Sequence, residues 1–362
     1  MRDEIFMHWL STLYRLGSHK QNQLLAHFES ARSIFDAPVE LLRTVHGITE
    51  NNIRIITQNR DMDYLERSLR SLERIQASYI SRHHRDFPYL LTEIPDPPVG
   101  LFCLGELPTF DSPTAAIIGS RRCTEYGLTI SRQFAADLAK NGVTIISGMA
   151  RGIDSCAHKG ALEVSGHTIA ILGCGVDVCY PAENRALRDD IMRTGCVLSE
   201  YPPGVEPLPH YFPARNRIIS GLSQVVVVVE AGKRSGTQIT VNQALEQGRD
   251  VMAVPGNITG KYSEGTNTLI KQGAGLASSS EDILHVLGKK PVKKASHTND
   301  HIAPEEKLVY DVLAFDPVDP LSFDEIVIRT KSQPQTIQYI LTMLEIKGYV
   351  QKLPGMRYIR QA

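Results

Sequence analysis

The sequence predicts an α/β protein centred on a Rossmann-like, doubly wound, mostly parallel sheet, and three observations point to it. The run Val225 to Val229 is too uniformly apolar for a strand with one face in water, so helices must cover both faces, as in parallel sheets. An apolar strand, a glycine-containing or polar turn and a following segment recur along the stretch 114 to 256, the alternation that builds such a sheet. The chain has 362 residues, 42% hydrophobic and 22% charged, enough for two or three ordinary globular domains.

Residues 1–80 carry helical spacing: Leu10, Leu13 and Leu16, then Leu24, Leu25 and Phe28, then Leu41, Leu42 and Val45. They predict a small helical domain of SAM or helix-hairpin-helix type. The Gly47 turn with its Thr49 cap has the form of a turn whose backbone amides touch phosphates; the alternative is two helices packed on each other. Residues 81–287 form the expected extended Rossmann-like core. Its strands lead into Gly119-Ser120-Arg121-Arg122, Ser147-Gly148, Gly173-Cys174-Gly175, Ser199-Glu200, the Ser235-Gly236-Thr237 turn and Pro255-Gly256. Residues 288–303 lack apolar periodicity and read as a flexible basic linker. Residues 304–362 predict a winged helix: helices Glu305 to Leu313 and Pro334 to Lys347, a short segment around Ile326, and a hairpin through Val350 and Ile359. Such a domain serves DNA or protein contacts.

A formal net charge of −1 excludes a bulk polycation, so nucleic-acid binding has to come from a local patch. No apolar run approaches the roughly 20 residues of a membrane helix, and the N-terminus has no signal region. The cysteines (103, 123, 156, 174, 179 and 196) form no C-x-x-C pair, so reduced thiols and a cytoplasmic protein are expected. In doubly wound sheets, ligands bind beyond the carboxyl ends of the strands. Candidate phosphate contacts there are Gly119, Ser120, Arg121, Arg122, Ser147, Gly148, Arg151, Arg215, Arg217, Lys233, Arg234, Ser235, Gly236 and Thr237. The last three open a helix whose free N–H groups suit an anion. Several arginine forks along one groove suit a polynucleotide backbone more than one small ligand. The alternative for Arg215 and Arg217 is internal pairing with Glu200, Glu230 or Asp154. Tyr126, Tyr180, Tyr211 and Phe212 are the candidate stacking rings.

Catalytic and cofactor motifs are weak. Gly173-Cys174-Gly175 starts like a dinucleotide fingerprint, but Val178 occupies the third glycine position, and Gly232-Lys233 runs into Arg234 where a P-loop needs Ser or Thr. His158 reads as a packed residue and not a zinc ligand. Ser147, Ser235 and Thr237 read as caps, and Asp154 and Glu200 as arginine anchors as readily as an acid and base. Binding without catalysis, and without cofactor or metal, is the expectation.

Ile118 to Gly127, Ser147 to His158, Phe212 to Ile219, Ser235 to Thr240, Ala253 to Gly256 and Gly265 to Ala274 together resemble the bacterial DprA (Smf, DNA-processing) family. Asp86 to Leu90 and Pro97 to Gly105 continue the resemblance, which covers about residues 85 to 290. The flanking parts resemble additions found in some members. Ser120 stands where many members have threonine, and Met149 where leucine is commoner. The resemblance implies sequence-independent binding of single-stranded DNA, protection of incoming DNA, a homodimer formed through the core, and help in loading the RecA recombinase during natural transformation. It carries phosphate-binding roles onto Arg121 or Arg122 and onto Arg234. A dimer face after Pro255-Gly256, with Ile270, Leu276 and Ile283, rests on the same likeness. The rival is a Rossmann-like nucleotide-binding or nucleotide-cleaving enzyme with a Gly-Gly-x-Gly-Thr turn. Here Arg234 and Ser235 replace the paired glycines, and no glutamate follows before Glu246. A third reading, a winged-helix transcription regulator, would have to read bases through Gln335 and Gln338.

Overall fold

In the computed structural model, residues 2–233, 235–290, 302–313, 320–353 and 355–360 are described. Arg234 and most of the expected linker, residues 291–301, lie outside them.

One sheet contains β1 (Ala77–Ser81), β2 (Gly100–Gly105), β3 (Thr114–Ile118), β4 (Thr144–Ser147), β5 (Thr168–Leu172), β6 (Cys196–Ser199), β7 (Val225–Val228), β8 (Asp250–Ala253) and β9 (Gly275–Leu276). Their order is β1-β2-β6-β5-β4-β3-β7-β8-β9. From β6 to β9 all neighbours are parallel, whereas β1 and β2 add an antiparallel edge. The valine run behaves as its composition requires. Val226 and Val228 enter the core on one face, with Ile218, Ile219, Val241 and Ala244. Val225, Val227 and Val229 enter the core on the other, with Phe134, Leu138, Ile153 and Ala157. Each buried valine contributes about 1.5 kcal/mol or more, so neither face of β7 can be exposed cheaply. Helices Glu125–Lys140 and Ile153–Glu163 thus cover one side, and Tyr211–Gly221 and Thr237–Glu246 the other.

The helices between Arg2 and Arg74 surround Trp9, Leu10, Leu24, Ile34, Leu42 and Ile56. Helix Glu50–Gln58 starts with a reciprocal capping box: the Asn52 amide donates to Thr49 Oγ1 (3.3 Å) and the Thr49 amide to Asn52 Oδ1 (3.0 Å). This helical layer and the sheet belong to one compact unit. Polar contacts stitch them together, including Ser11 to Tyr79 (2.7 Å) and Arg82 to Asn22 (2.6 Å).

A second unit holds helices Pro304–Val312, Phe323–Thr330 and Pro334–Ile346 with β10 (Leu321–Ser322), β11 (Val350–Leu353) and β12 (Arg357–Arg360). Its antiparallel order is β10-β12-β11, and Val309, Ile326, Ile337, Leu341, Leu344 and Tyr358 fill its core. Helix order and hairpin are those of a winged helix.

Candidate functional site

The chain winds from β3 to β6 in one direction, then crosses to β7 on the other side of β3. Neighbouring β3 and β7 therefore send their following helices to opposite faces, which opens a crevice between their carboxyl ends. A groove of about 1060 Å³ lies there, lined by the turns after both strands.

The turn after β3 is held rigidly. A Cβ on Gly119 would come within 2.6 Å of Ile153 Cγ1 and 2.9 Å of the Glu230 carbonyl, so only glycine lets the turn close on the neighbouring chain. The Ser120 amide donates to that carbonyl (2.8 Å). The buried Glu230 carboxylate accepts from the Thr124 amide (2.8 Å) and hydroxyl (2.6 Å). Gly127 leaves room for it, since a Cβ there would lie 2.5 Å from Glu230 Oε2 and push the carboxylate from its place. Glu230 is thus spent on shaping the turn and pairs with neither Arg215 nor Arg217. Arg121 and Arg122 emerge exposed from this anchored segment. The Arg121 guanidinium stands 5.3 Å over the Phe212 ring, which lies 5.4 Å from Tyr180. Stacking of this kind occupies the guanidinium face and leaves its N–H edge for a phosphate.

Gly232, Lys233, Ser235, Gly236 and Thr237 line the β7 side. Helix Thr237–Glu246 starts after Gly236, and Ser235 Oγ accepts from the Thr237 amide (3.2 Å). Lys233 Nζ lies 3.3 Å from Glu264 Oε1. Lys261 and Tyr262 line the same groove and were not among the residues expected from the sequence. They arrive because the loop after β8 folds back onto the β7 turn, the Ala231 amide donating to the Tyr262 carbonyl (2.8 Å). No local signal marks a pairing across that distance in sequence.

The structure turns Arg215 and Arg217 inward, the alternative to phosphate contact, although Arg215 still lines the groove from its buried position and Arg217 does not. Arg215, only 4% exposed, donates to the carbonyls of Gly148 (3.1 Å) and Ile171. Burial lowers its pKa to about 10 against the pull of Asp154. Burial raises the pKa of Asp154, opposed by Arg215 and by backbone hydrogen bonds from Ala150 and Gly148. Gly148 is packed against both groups: a Cβ there would lie 2.7 Å from Arg215 Nη2 and 2.8 Å from Asp154 Oδ2. Arg217, 6% exposed, pairs with Glu200 (2.6 Å) and Asp96 (3.2 Å). Its interior position costs charge, yet the two carboxylates hold its pKa above the usual value. Both arginines are bound to the scaffold. Ser147 is likewise fully buried, its hydroxyl donating to the Ile117 carbonyl (2.7 Å), so it caps no helix and faces no ligand.

Arg151 is exposed and borders a side pocket with Arg121, Tyr180 and Phe212, where it forms a two-pronged pair with Glu183. Tyr126 donates to the Pro255 carbonyl (3.1 Å). His158 is fully buried and bonded to Thr168 (2.7 Å). Of the residues expected at a dimer face, Ile283 lies wholly inside the core and offers no surface, whereas Leu276 is half exposed on the edge strand. Among the described residues, no helix is long and apolar enough to cross a membrane.

Fold and groove define a class: a doubly wound α/β protein with a cationic, aromatic-edged crevice at its switch point, suited to a polyanion. Within it, the chain belongs to the DNA recombination-mediator protein A family, whose model matches residues 78–288. A DprA winged helix domain matches residues 293–356. The chain is 33% identical to Protein Smf of Synechocystis sp. over 98% of each chain. The X-ray structure of DNA processing protein A from Streptococcus pneumoniae superposes with a TM-score of 0.68 at 36% identity, covering 77% of this chain and 95% of that one. A structure of the Helicobacter pylori DNA processing protein A, concerned with its single-stranded DNA binding mode, gives a TM-score of 0.54 at 32% identity, covering 59% of this chain and 96% of that one.

Proposed function

We propose that this chain binds single-stranded DNA without sequence preference and acts as a recombination mediator that hands the strand to a RecA-type recombinase. One observation carries the reading. Arg121 and Arg122 on one side, and Lys233 and Lys261 on the other, border a groove that also presents Phe212, Tyr180 and Tyr262. Cations along a groove track phosphates, and rings at its edge stack only on unpaired bases. Arg234 joins this set by its place in the sequence. The Helicobacter pylori relative supports the same ligand. Protection of incoming DNA in transformation, a cytoplasmic location and a homodimer using the Leu276 edge are the family's properties carried to this chain. Binding is favoured over catalysis because the two carboxylates lining the groove are engaged: Asp154 beside Arg215 and Glu264 with Lys233.

The test is fluorescence anisotropy with labelled oligonucleotides across a salt series. Tight, sequence-blind, salt-sensitive binding to single strands is expected, with the joint Arg121→Ala and Arg122→Ala variant losing about 100-fold, roughly tenfold for each charged contact removed. Unchanged affinity in that variant would overturn the assignment. No binding to any oligonucleotide by the unmodified protein would favour the nucleotide-handling enzyme.

A further inference from the structure

The groove lining includes Pro209 and Phe212, and the two residues between them, His210 and Tyr211, open onto a surface that the reading above leaves unused. Against it stands the short 3-10 turn Tyr14–Leu16. Side chains three apart share a face in such a turn. Leu13 and Leu16 both bury in the helical core, which turns Tyr14 and Arg15 the other way, toward the sheet. The Tyr14 ring meets Tyr201 and Tyr211 edge-on, each at 6.2 Å. Tyr201 and Tyr211 lie 4.4 Å apart, and His210 lies 4.3 Å from Tyr211. The Arg15 guanidinium sits 5.9 Å from the Tyr14 ring centre.

Packing between the helical layer and the sheet explains Tyr201, which is buried. It does not explain the outer members. Arg15 and His210 are exposed, Tyr14 and Tyr211 are half exposed, and among the described residues no carboxylate pairs with Arg15. A cation held by Tyr14 and by no carboxylate, beside part-exposed rings and adjoining a groove with the same make-up, continues that groove's chemistry.

We propose that Tyr14, Arg15, His210 and Tyr211 extend the strand-binding path onto the helical layer. Bases leaving the groove past Phe212 stack on these rings, and Arg15 takes the phosphate between them. The proposal rests on the groove being a single-strand site.

The experiment compares oligothymidylates of about 6 and about 24 nucleotides, one near the short end of common site sizes and one beyond the long end, using the full-length chain, its Arg15→Glu variant and the joint Arg121→Ala and Arg122→Ala variant. The expected result is a loss of about tenfold for the longer strand in Arg15→Glu with the shorter unaffected, the size of one stacking or phosphate contact, while the groove variant loses both. In parallel, 5-iodouracil in the longer strand should cross-link to Tyr14 or Tyr211 of the unmodified protein, a readout that needs no variant to fold. Wild-type affinity of Arg15→Glu for both lengths, or cross-links confined to Phe212, Tyr180 and Tyr262, would overturn the extension while leaving the groove reading in place. Absence of binding by the unmodified protein at either length would overturn both.

Discussion

The turn after β3 and helix Tyr211–Gly221 both line the groove and each carry two arginines, and they use them in opposite ways. Arg121 and Arg122 stand in water on a turn fixed by Glu230 and by the close approach of Gly119 and Gly127 to their neighbours. Arg215 and Arg217 are turned inward, where carbonyls take donors of the first and two carboxylates take Nε and Nη2 of the second, leaving Arg217 Nη1 unpaired among the described residues. An arginine in water is available to a phosphate without breaking anything. A buried one joins pieces of chain that would otherwise leave unpaired polar groups. Arg217 ties Asp96, on the approach to β2, to Glu200, at the end of β6, and so holds together parts of the sheet remote in sequence.

Removing a buried partner should therefore damage the fold and leave binding alone. Arg217→Ala strands Glu200 and Asp96, of which Glu200 is already pushed to a higher pKa by burial. The expected loss is about 3–5 kcal/mol, measured by urea unfolding, with near-normal DNA affinity in the fraction that stays folded. If instead stability is kept and affinity falls, Arg217 belongs with Arg121 and the contrast between the two pairs fails.

His158 sharpens the buried side of the contrast. Its Nδ1 lies 2.7 Å from the Thr168 hydroxyl, which gives its own proton to the Ile145 carbonyl, so Nδ1 is the donor. Burial first, and then the charge of Arg215, lower its pKa to about 3; burial lowers His8 to about 4. In the unfolded chain both titrate near 6.5. The native state therefore resists protonation, and their contribution is present above pH 6.5 and lost as pH falls toward the folded values. Each histidine contributes a slope of up to about 1.4 kcal/mol per pH unit. Asp154 and Glu200, raised by burial, act with the opposite sign: their contribution is fullest below the unfolded carboxylate pKa and is lost as pH rises. Urea midpoints between pH 7 and 5 should fall less steeply in His158→Gln than in the unmodified protein. Equal slopes would mean that His158 is not held neutral.

How these roles divide was only partly written in local sequence. The valine run announced a doubly covered strand, and the glycines marked the carboxyl-end turns, because strand burial and turn sterics are set by neighbours in the chain. The antiparallel edge was harder to see: Ala77–Ser81 has serines in a short segment, and its place depends on pairing with β2. The exposure of Arg121 against the burial of Arg215 depends on what the Glu230 anchor and the β4 turn do in space. Lys261 and Tyr262 enter the groove only through the backbone bond to Ala231, which no window on the sequence contains.

The smallest effect concerns the exposed side, where not every cation is equally free. Arg151 is held by Glu183 and Lys233 by Glu264, whereas among the described residues no carboxylate pairs with Arg121, Arg122 or Lys261. A phosphate reaching Arg151 or Lys233 must first displace a carboxylate of similar geometry, so these two side chains contribute less than their charge suggests. Glu183→Gln and Glu264→Gln remove the competitor and keep the shape. Each should tighten single-strand binding modestly at low salt and steepen the slope of log affinity against log salt by up to about 0.7, the value of one further phosphate neutralised on a single strand. The pair of variants also orders the groove: a change with Glu264→Gln alone would confine the strand to the β3 and β7 turns, and a change with Glu183→Gln would carry it past Tyr180 to Arg151. If neither slope moves, the phosphate track reduces to the cations that stand free of carboxylates, and Arg151 and Lys233 are surface pairs like any other.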